Sequence, residues 1–232
     1  MTPEPTLEAR LAADGQAENV SFKFVHIPRT GGETIEALLG IPKNHRFAKT
    51  RRSSESDWAG CFTFAIVRDP WSRLVSWYFH LRKRLYFDKL RASTNELERK
   101  TRCFQCLSRG ENMHPAAHRI LAERVGFGEW VQTILTDAAY ETPLWGPCTD
   151  LTEWILSEDG EQIVDYVGRF DDYQRSLGHI FGVLDKAELT GQIQRTNRSI
   201  HKPTREYYDR QTMETVERRF SREVTHFGFR FR

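Results

Sequence analysis

The chain has 232 residues, 39% hydrophobic and 28% charged, with fifteen Phe and six Trp, so it carries the apolar material for one sizeable core. Lys and Arg number 34 against 32 Asp and Glu, and a net charge of +2 gives no global attraction to nucleic acid, so any anion site has to be local. Four cysteines are too few for a disulfide-framed scaffold of this length, and no apolar run is long enough to span a bilayer.

Residues 1–19, MTPEPTLEARLAADGQAEN, are polar and unlike a signal or transit peptide. They are expected to form a mobile leader to a single domain at 20–232, in a cytoplasmic protein. Ser21 to Ile27 (SFKFVHI) alternates as a strand does, and in HIPRTGGETIEALLG the apolar Ile35, Leu38 and Leu39 recur at helical spacing until Gly40. A glycine pair therefore stands where a strand turns into a helix. The first N–H groups of a helix lack internal partners and the dipole adds positive potential, so such a place binds anions. Gly31 and Gly32 keep side chains out of the anion's way, Thr30 and Thr34 add hydroxyls, and Arg29 adds a full charge.

After a polar, basic segment containing His45, CFTFAIV (61–67) reads as a buried strand ending at Arg68. Asp69 is a good N-cap and Pro70 a good first helical residue. Trp71, Leu74, Val75, Tyr78, Leu81 and Leu85 then keep a helical stripe, with Arg73, Ser76 and His80 on a common face. Arg68 with Ser76 offers a guanidinium fork and a hydroxyl, a combination suited to phosphate.

Residues 82–126 show little pattern and read as a variable surface region. Their basic cluster, LRKRLYFDKLR (81–91), is either a solvated helix face or a grip for a polyanionic acceptor. Cys103, Cys106, His114 and His118 have the ligand types of a zinc site, but the gap between the pairs is short for a finger. Free thiols or a disulfide to Cys148 are the alternatives, and no metal is expected. Residues 128–135 read as a helix, 163–170 as a strand, and Tyr173 to Phe181 as a helix. From Asp209 onward, Met213, Val216, Phe220, Val224 and Phe227 mark one long amphipathic helix. Strands alternating with helices predict an α/β fold with a mostly parallel sheet flanked by helices, its ligands at the carboxyl ends of the strands.

In order along the chain, HIPRTGGETI and FAIVRDPWSRLVSWYFHL resemble the 5′-phosphosulfate loop and the 3′-phosphate motif of the sulfotransferases that use 3′-phosphoadenosine 5′-phosphosulfate (PAPS). DYVGRFDDYQRSLGHIF and HKPTREYYDRQTMETVERRFSREVTHFGFRF are similar to later blocks of the branch containing carbohydrate sulfotransferases. The resemblance implies a P-loop-like phosphosulfate loop, PAPS as donor, no metal, and in-line transfer to a hydroxyl, most naturally on a glycan. Residue by residue, it implies that Arg29, Thr30, Gly31, Gly32, Glu33 and Thr34 hold the phosphosulfate, Arg68 and Ser76 the 3′-phosphate, and Ser199 and Lys202 a late cofactor loop. His45 falls where the carbohydrate branch has its catalytic base.

Two residues depart from that pattern. Arg29 replaces the usual Lys, as in the tyrosylprotein branch, so it can stabilise a leaving group but not protonate it. Glu33 stands where a small hydroxyl residue is common and is a second candidate base. The alternatives are a protein-tyrosine or small-molecule acceptor, a kinase-like nucleotide enzyme, or a non-catalytic nucleotide-binding module. The pattern G-x-x-x-x-G-K-[ST] of phosphate-binding kinases is absent.

Overall fold

A computed structural model of the chain describes residues 20–82, 115–140, 146–193 and 201–232. Three strands, β1 (Phe22–Val25), β2 (Phe62–Val67) and β3 (Tyr166–Arg169), form a parallel sheet in the order β1-β2-β3. The helices in chain order are α1 (Gly32–Leu39), α2 (Ala48–Ser54), α3 (Pro70–Leu81), α4 (Pro115–Arg124), α5 (Phe127–Thr136), α6 (Thr152–Ile155), α7 (Tyr173–Val183), α8 (Arg210–Arg219) and α9 (Ser221–Phe227). The chain divides into two compact units, one built from 1–68 with 151–197 and the other from 69–150 with 198–232.

The first unit holds the sheet. β2 is its central strand and is buried at all six positions, which explains why FTFAIV lacks the alternation of a half-exposed strand. Phe24 pairs with Phe64 across β1 and β2, and Phe64 with Tyr166 across β2 and β3. Ile35 of α1 and Tyr173, Leu177, Ile180 and Phe181 of α7 pack with Phe24, Phe62, Phe64 and Ile66 into one core. The polar residue in β2, Thr63, is satisfied by Asp165, whose carboxylate accepts from its N–H at 2.8 Å and its hydroxyl at 2.7 Å. Gly40 closes α1 in the left-handed region at φ 65°, as the sequence predicts, and donates back to the Glu36 carbonyl.

The second unit is helical. Asp69 caps α3 by accepting from the Ser72 N–H at 2.8 Å, and Pro70 occupies the first turn. The predicted stripe is buried: Trp71, Leu74, Val75, Tyr78 and Leu81 all face inward, while Leu85 lies outside the described residues. Tyr78 also packs against Phe127 and Trp130 of α5.

Two element boundaries differ from expectation. The third strand spans only 166–169, because Asp165 at its start is committed to Thr63 and Gln162 instead makes an antiparallel bridge with Leu156. The C-terminal helix is two helices, since Phe220 leaves helical geometry at φ −109°, ψ 28°. The break keeps Phe220 fully buried under the Arg73 guanidinium, 5.0 Å from its ring, and brings Glu223 onto the same arginine. Among the described residues no helix is long and apolar enough to cross a membrane.

Candidate functional site

The site in the first unit starts where β1 runs out. His26, Ile27, Pro28 and Thr30 are buried and Arg29 is half-buried, so the chain leaves the sheet through packed interior rather than over the surface. Arg29 takes φ 69° and Gly31 φ 93°, whereas Thr30 between them does not have a positive φ. Alternation of this kind turns successive N–H groups toward one concave side, the geometry of an anion nest. A non-glycine residue with positive φ is strained, here by about 1–2 kcal/mol, and the surrounding contacts hold it. The N-cap of α1 is Gly31, which has no side chain to occupy the first turn.

Those holding contacts come from three directions. The Thr30 hydroxyl donates to the Ile27 carbonyl at 2.8 Å, so what Thr30 offers an anion is its backbone N–H. The Tyr173 hydroxyl donates to the Gly31 carbonyl at 2.7 Å, and burial pushes its pKa up to about 12 against a weaker, lowering hydrogen bond with Thr34. Arg68, at the carboxyl end of β2, donates to the Arg29 carbonyl at 3.2 Å, its guanidinium 4.3 Å over the Phe170 ring. Three carbonyls of the loop, those of Ile27, Arg29 and Gly31, are thereby satisfied by side-chain donors. Gly32 is required by contact: a Cβ there would stand 2.2 Å from Cδ2 and 2.3 Å from Nε2 of His26.

Behind the loop lie the titratable groups. His45 sits on the segment after α1 with its ring 4.2 Å from that of His26, and its Nδ1 is 3.0 Å from the His26 carbonyl oxygen. A carbonyl can only accept, so Nδ1 carries the proton and the basic lone pair is on Nε2. Burial draws the His45 pKa below its ordinary value, partly offset by that hydrogen bond. Glu33 pairs with Lys43 at 2.9 Å on a half-exposed surface. Burial pushes its carboxyl up, but the Lys43 hydrogen bond and the charges of Lys43, Arg29 and His26 outweigh it and leave the pKa lowered. Glu33 is therefore a weaker base than its position suggests. Arg29, drawn down by burial and up by Glu33, supplies positive charge beside both.

The other predicted residues are placed as follows. Ser76 is on α3 in the second unit, 2% exposed. Arg73, on the same face, is not available to a ligand: it is 2% exposed and its Nη2 donates to both carboxylate oxygens of Glu223, at 2.6 and 2.9 Å. Lys202, also in the second unit, is exposed, donates its N–H to the Tyr207 hydroxyl at 2.9 Å and extends its ammonium to within 3.7 Å of Glu206. Ser199, Cys103, Cys106, His114 and the cluster 83–91 lie outside the described residues. His118 is 1% exposed on α4, and Cys148 donates its thiol to the Ile134 carbonyl at 3.2 Å. Among the described residues no group of three metal-ligand side chains comes together.

A model of the sulfotransferase family matches residues 18–230, a single stretch that runs through both units. The chain belongs to the sulfotransferase family. Comparison with curated proteins gives no match. Membership makes the chain a transferase of sulfuryl groups to a hydroxyl-bearing acceptor, and it fits an α/β sheet whose first strand delivers the loop.

Two residues of this site, His26 and Glu36, are assigned no role by the motifs that the sequence displays. A signal for the first was present, since His26 continues the row Phe22, Phe24 at strand spacing and so belongs to the buried face. Glu36 gives less away, because a glutamate one turn beyond Glu33 reads as helix surface.

Proposed function

We propose that this sulfotransferase moves the sulfuryl group of PAPS to a carbohydrate hydroxyl, with His45 as general base. The observation that carries the reading is the pair of histidine contacts just described: a base whose proton is parked on Nδ1 by a backbone carbonyl, against a Glu33 already paired with Lys43. In the step itself, His45 Nε2 takes the acceptor's proton as its oxygen bonds to sulfur. The bond from sulfur to the bridging phosphate oxygen breaks in line, and adenosine 3′,5′-bisphosphate leaves with the electron pair. Arg29 and the N–H groups of residues 30–33 stabilise the charge that builds on the departing oxygens, while the Thr34 N–H donates to the Gly31 carbonyl at 3.2 Å. Glycine at 31 and 32 suits this role because it leaves the backbone open to an anion.

The roles of Arg68 and Ser76 toward the 3′-phosphate, and of Ser199 and Lys202 in a late cofactor loop, come from the motifs that contain them. The Arg68 contact to the Arg29 carbonyl adds that the same arginine braces the phosphosulfate loop. A tyrosine hydroxyl is the second acceptor to test, because Arg29, like the tyrosylprotein branch, has no proton to give the leaving group.

The test is incubation with labelled PAPS and a panel of glycans, phenols and tyrosine peptides, using wild type, His45→Ala and Glu33→Ala. His45→Ala is expected to lower kcat by roughly a hundredfold or more, with affinity for adenosine 3′,5′-bisphosphate nearly intact and Glu33→Ala keeping most of the rate. The acid limb of the wild-type profile should fall below pH 6.5, since burial lowers the His45 pKa. An active His45→Ala beside a dead Glu33→Ala would move the proton to the carboxylate and overturn the reading.

A further inference from the structure

The mechanism above uses His45 and leaves its buried neighbours without a role. His26 is 3% exposed and Glu36 9% exposed, and His26 Nδ1 stands 2.5 Å from Glu36 Oε1. The imidazole is held on every side. One face stacks on Phe24 at 5.4 Å with 22° between the planes, and the ring of His45 lies 4.2 Å away. The edge opposite Nδ1 presses on the Cα of Gly32, at the first turn of α1. The His26 carbonyl accepts the hydrogen bond from His45 Nδ1–H at 3.0 Å. His26 therefore touches the base twice, through ring and carbonyl, and touches the anion-binding helix start once.

Glu36 controls the orientation of that ring. Its carboxyl is carried on α1, one turn beyond Glu33, and is the partner of the His26 ring nitrogen. An imidazole whose Nδ1–H donates to a carboxylate has its tautomer and plane set by it. Removing the acceptor frees the ring to rotate or to move its proton to Nε2, which faces Gly32. Either movement disturbs the carbonyl and ring on which His45 rests.

We propose that Glu36 and His26 are positioning residues of this sulfotransferase: Glu36 fixes the His26 ring, and His26 in turn fixes the orientation of His45 and backs the start of α1. The proposal rests on His45 as the base. The charge environment agrees with it. His26 is surrounded by His45, Lys43, Glu33, Arg29 and Glu36, and burial first, then the charges of His45, Lys43 and Arg29, bring its pKa down to about 3 with Glu33 opposing. Glu36 goes the other way, raised by burial against Lys43 and the Asn44 N–H. A neutral imidazole against a carboxylate shares one proton, so the pair orients without adding a net positive charge behind the loop.

The test reads geometry and rate separately. Long-range 1H–15N correlation on the unliganded, 15N-histidine-labelled protein reports the tautomer of each imidazole, and the expected wild-type state is Nδ1–H for both His26 and His45. Glu36→Gln keeps an acceptor oxygen and is expected to retain both tautomers and a PAPS-dependent rate within about threefold of wild type. Glu36→Leu should shift the His45 resonances and lower kcat about tenfold or more, with the KM for PAPS changed by less than about threefold. His26→Gln, which keeps a polar group but loses the ring, should reproduce the Leu result and serves if Glu36→Leu does not fold. Folded variants in which the His45 resonances and kcat stay at wild-type values would overturn the proposal. The base assignment fails on a different result, a fully active His45→Ala, which leaves the resonance measurements unaffected.

Discussion

Each unit of the molecule buries an acid against a base, and the two pairs are built for different ends. In the second unit Arg73 and Glu223, 2% and 0% exposed, meet in a fork at 2.6 and 2.9 Å, and Arg73 also donates to the Thr149 carbonyl at 2.9 Å. A guanidinium keeps its charge throughout the physiological range, so this pair is a permanent lock joining α3 to α9. In the first unit, His26 and Glu36 meet through one contact, Nδ1 to Oε1 at 2.5 Å. That pair can specify a tautomer, which a guanidinium cannot do. The helical unit buries a fixed charge pair, whereas the unit that carries the glycine loop buries a histidine that burial holds neutral.

The sharpest way to break this contrast is to remove half of the permanent lock. Glu223→Leu strands the Arg73 charge in the interior and should destabilise the protein by about 3–5 kcal/mol in urea unfolding, whereas the double change Arg73→Met with Glu223→Leu should recover most of the loss. A single-variant cost below about 1 kcal/mol would show that the fork is not a lock.

Acid titration tests the other side. His26 and His118 are brought down by burial to about 3 and about 4, one in each unit, so between pH 6.5 and those values the unfolded chain binds protons that the folded one refuses. Stability therefore falls as pH falls, by about 2 kcal/mol for each histidine between pH 6.5 and 5. Glu36 works with the opposite sign, because its raised pKa favours the folded state as pH drops toward that value. Urea melts at several pH values should lose one histidine's share of the slope in His26→Gln and in His118→Gln; an unchanged slope in either variant would mean that histidine is not held neutral.

Smaller effects come from the loop. Gly32→Ala places a methyl where the His26 ring now lies and should cost about 1–3 kcal/mol of stability while weakening adenosine 3′,5′-bisphosphate binding in calorimetry. Smallest is Tyr173→Phe, which deletes the hydroxyl on the Gly31 carbonyl and should cost about 1 kcal/mol, seen as a shift of a few degrees in melting temperature. Because burial raises the Tyr173 pKa to about 12 from its ordinary value near 10, the wild-type contribution should be fully present below about pH 9 and be lost as pH rises from there toward 12.

What could be read in advance followed local chemistry. Asp69-Pro70 announced the start of α3, Gly40 the end of α1, and the glycine pair the junction between β1 and α1, because capping and left-handed turns are written in adjacent residues. His45 was legible as a candidate, but its tautomer was not, since the carbonyl that sets it belongs to His26, nineteen positions earlier. The same holds for Arg73, whose helical face was legible but whose partner was not, since Glu223 lies 150 positions away. Glu36 shows the limit most clearly. Its burial comes from the ring opposite, and no periodicity in EALLG marks a glutamate as interior.

The order of the strands has a consequence for how the chain is made. β2 is the central strand, yet β3, its partner on one side, follows only after roughly a hundred residues, most of them belonging to the helical unit. During synthesis at about 5–20 residues per second, the FTFAIV segment waits roughly 5–20 s with one edge unpaired. An apolar strand with an open edge is a template for pairing with another chain, so heterologous expression should be limited by nascent-chain aggregation, and slower induction at low temperature or added holdase should raise the soluble yield. A chain truncated before Tyr166 would keep that edge open permanently.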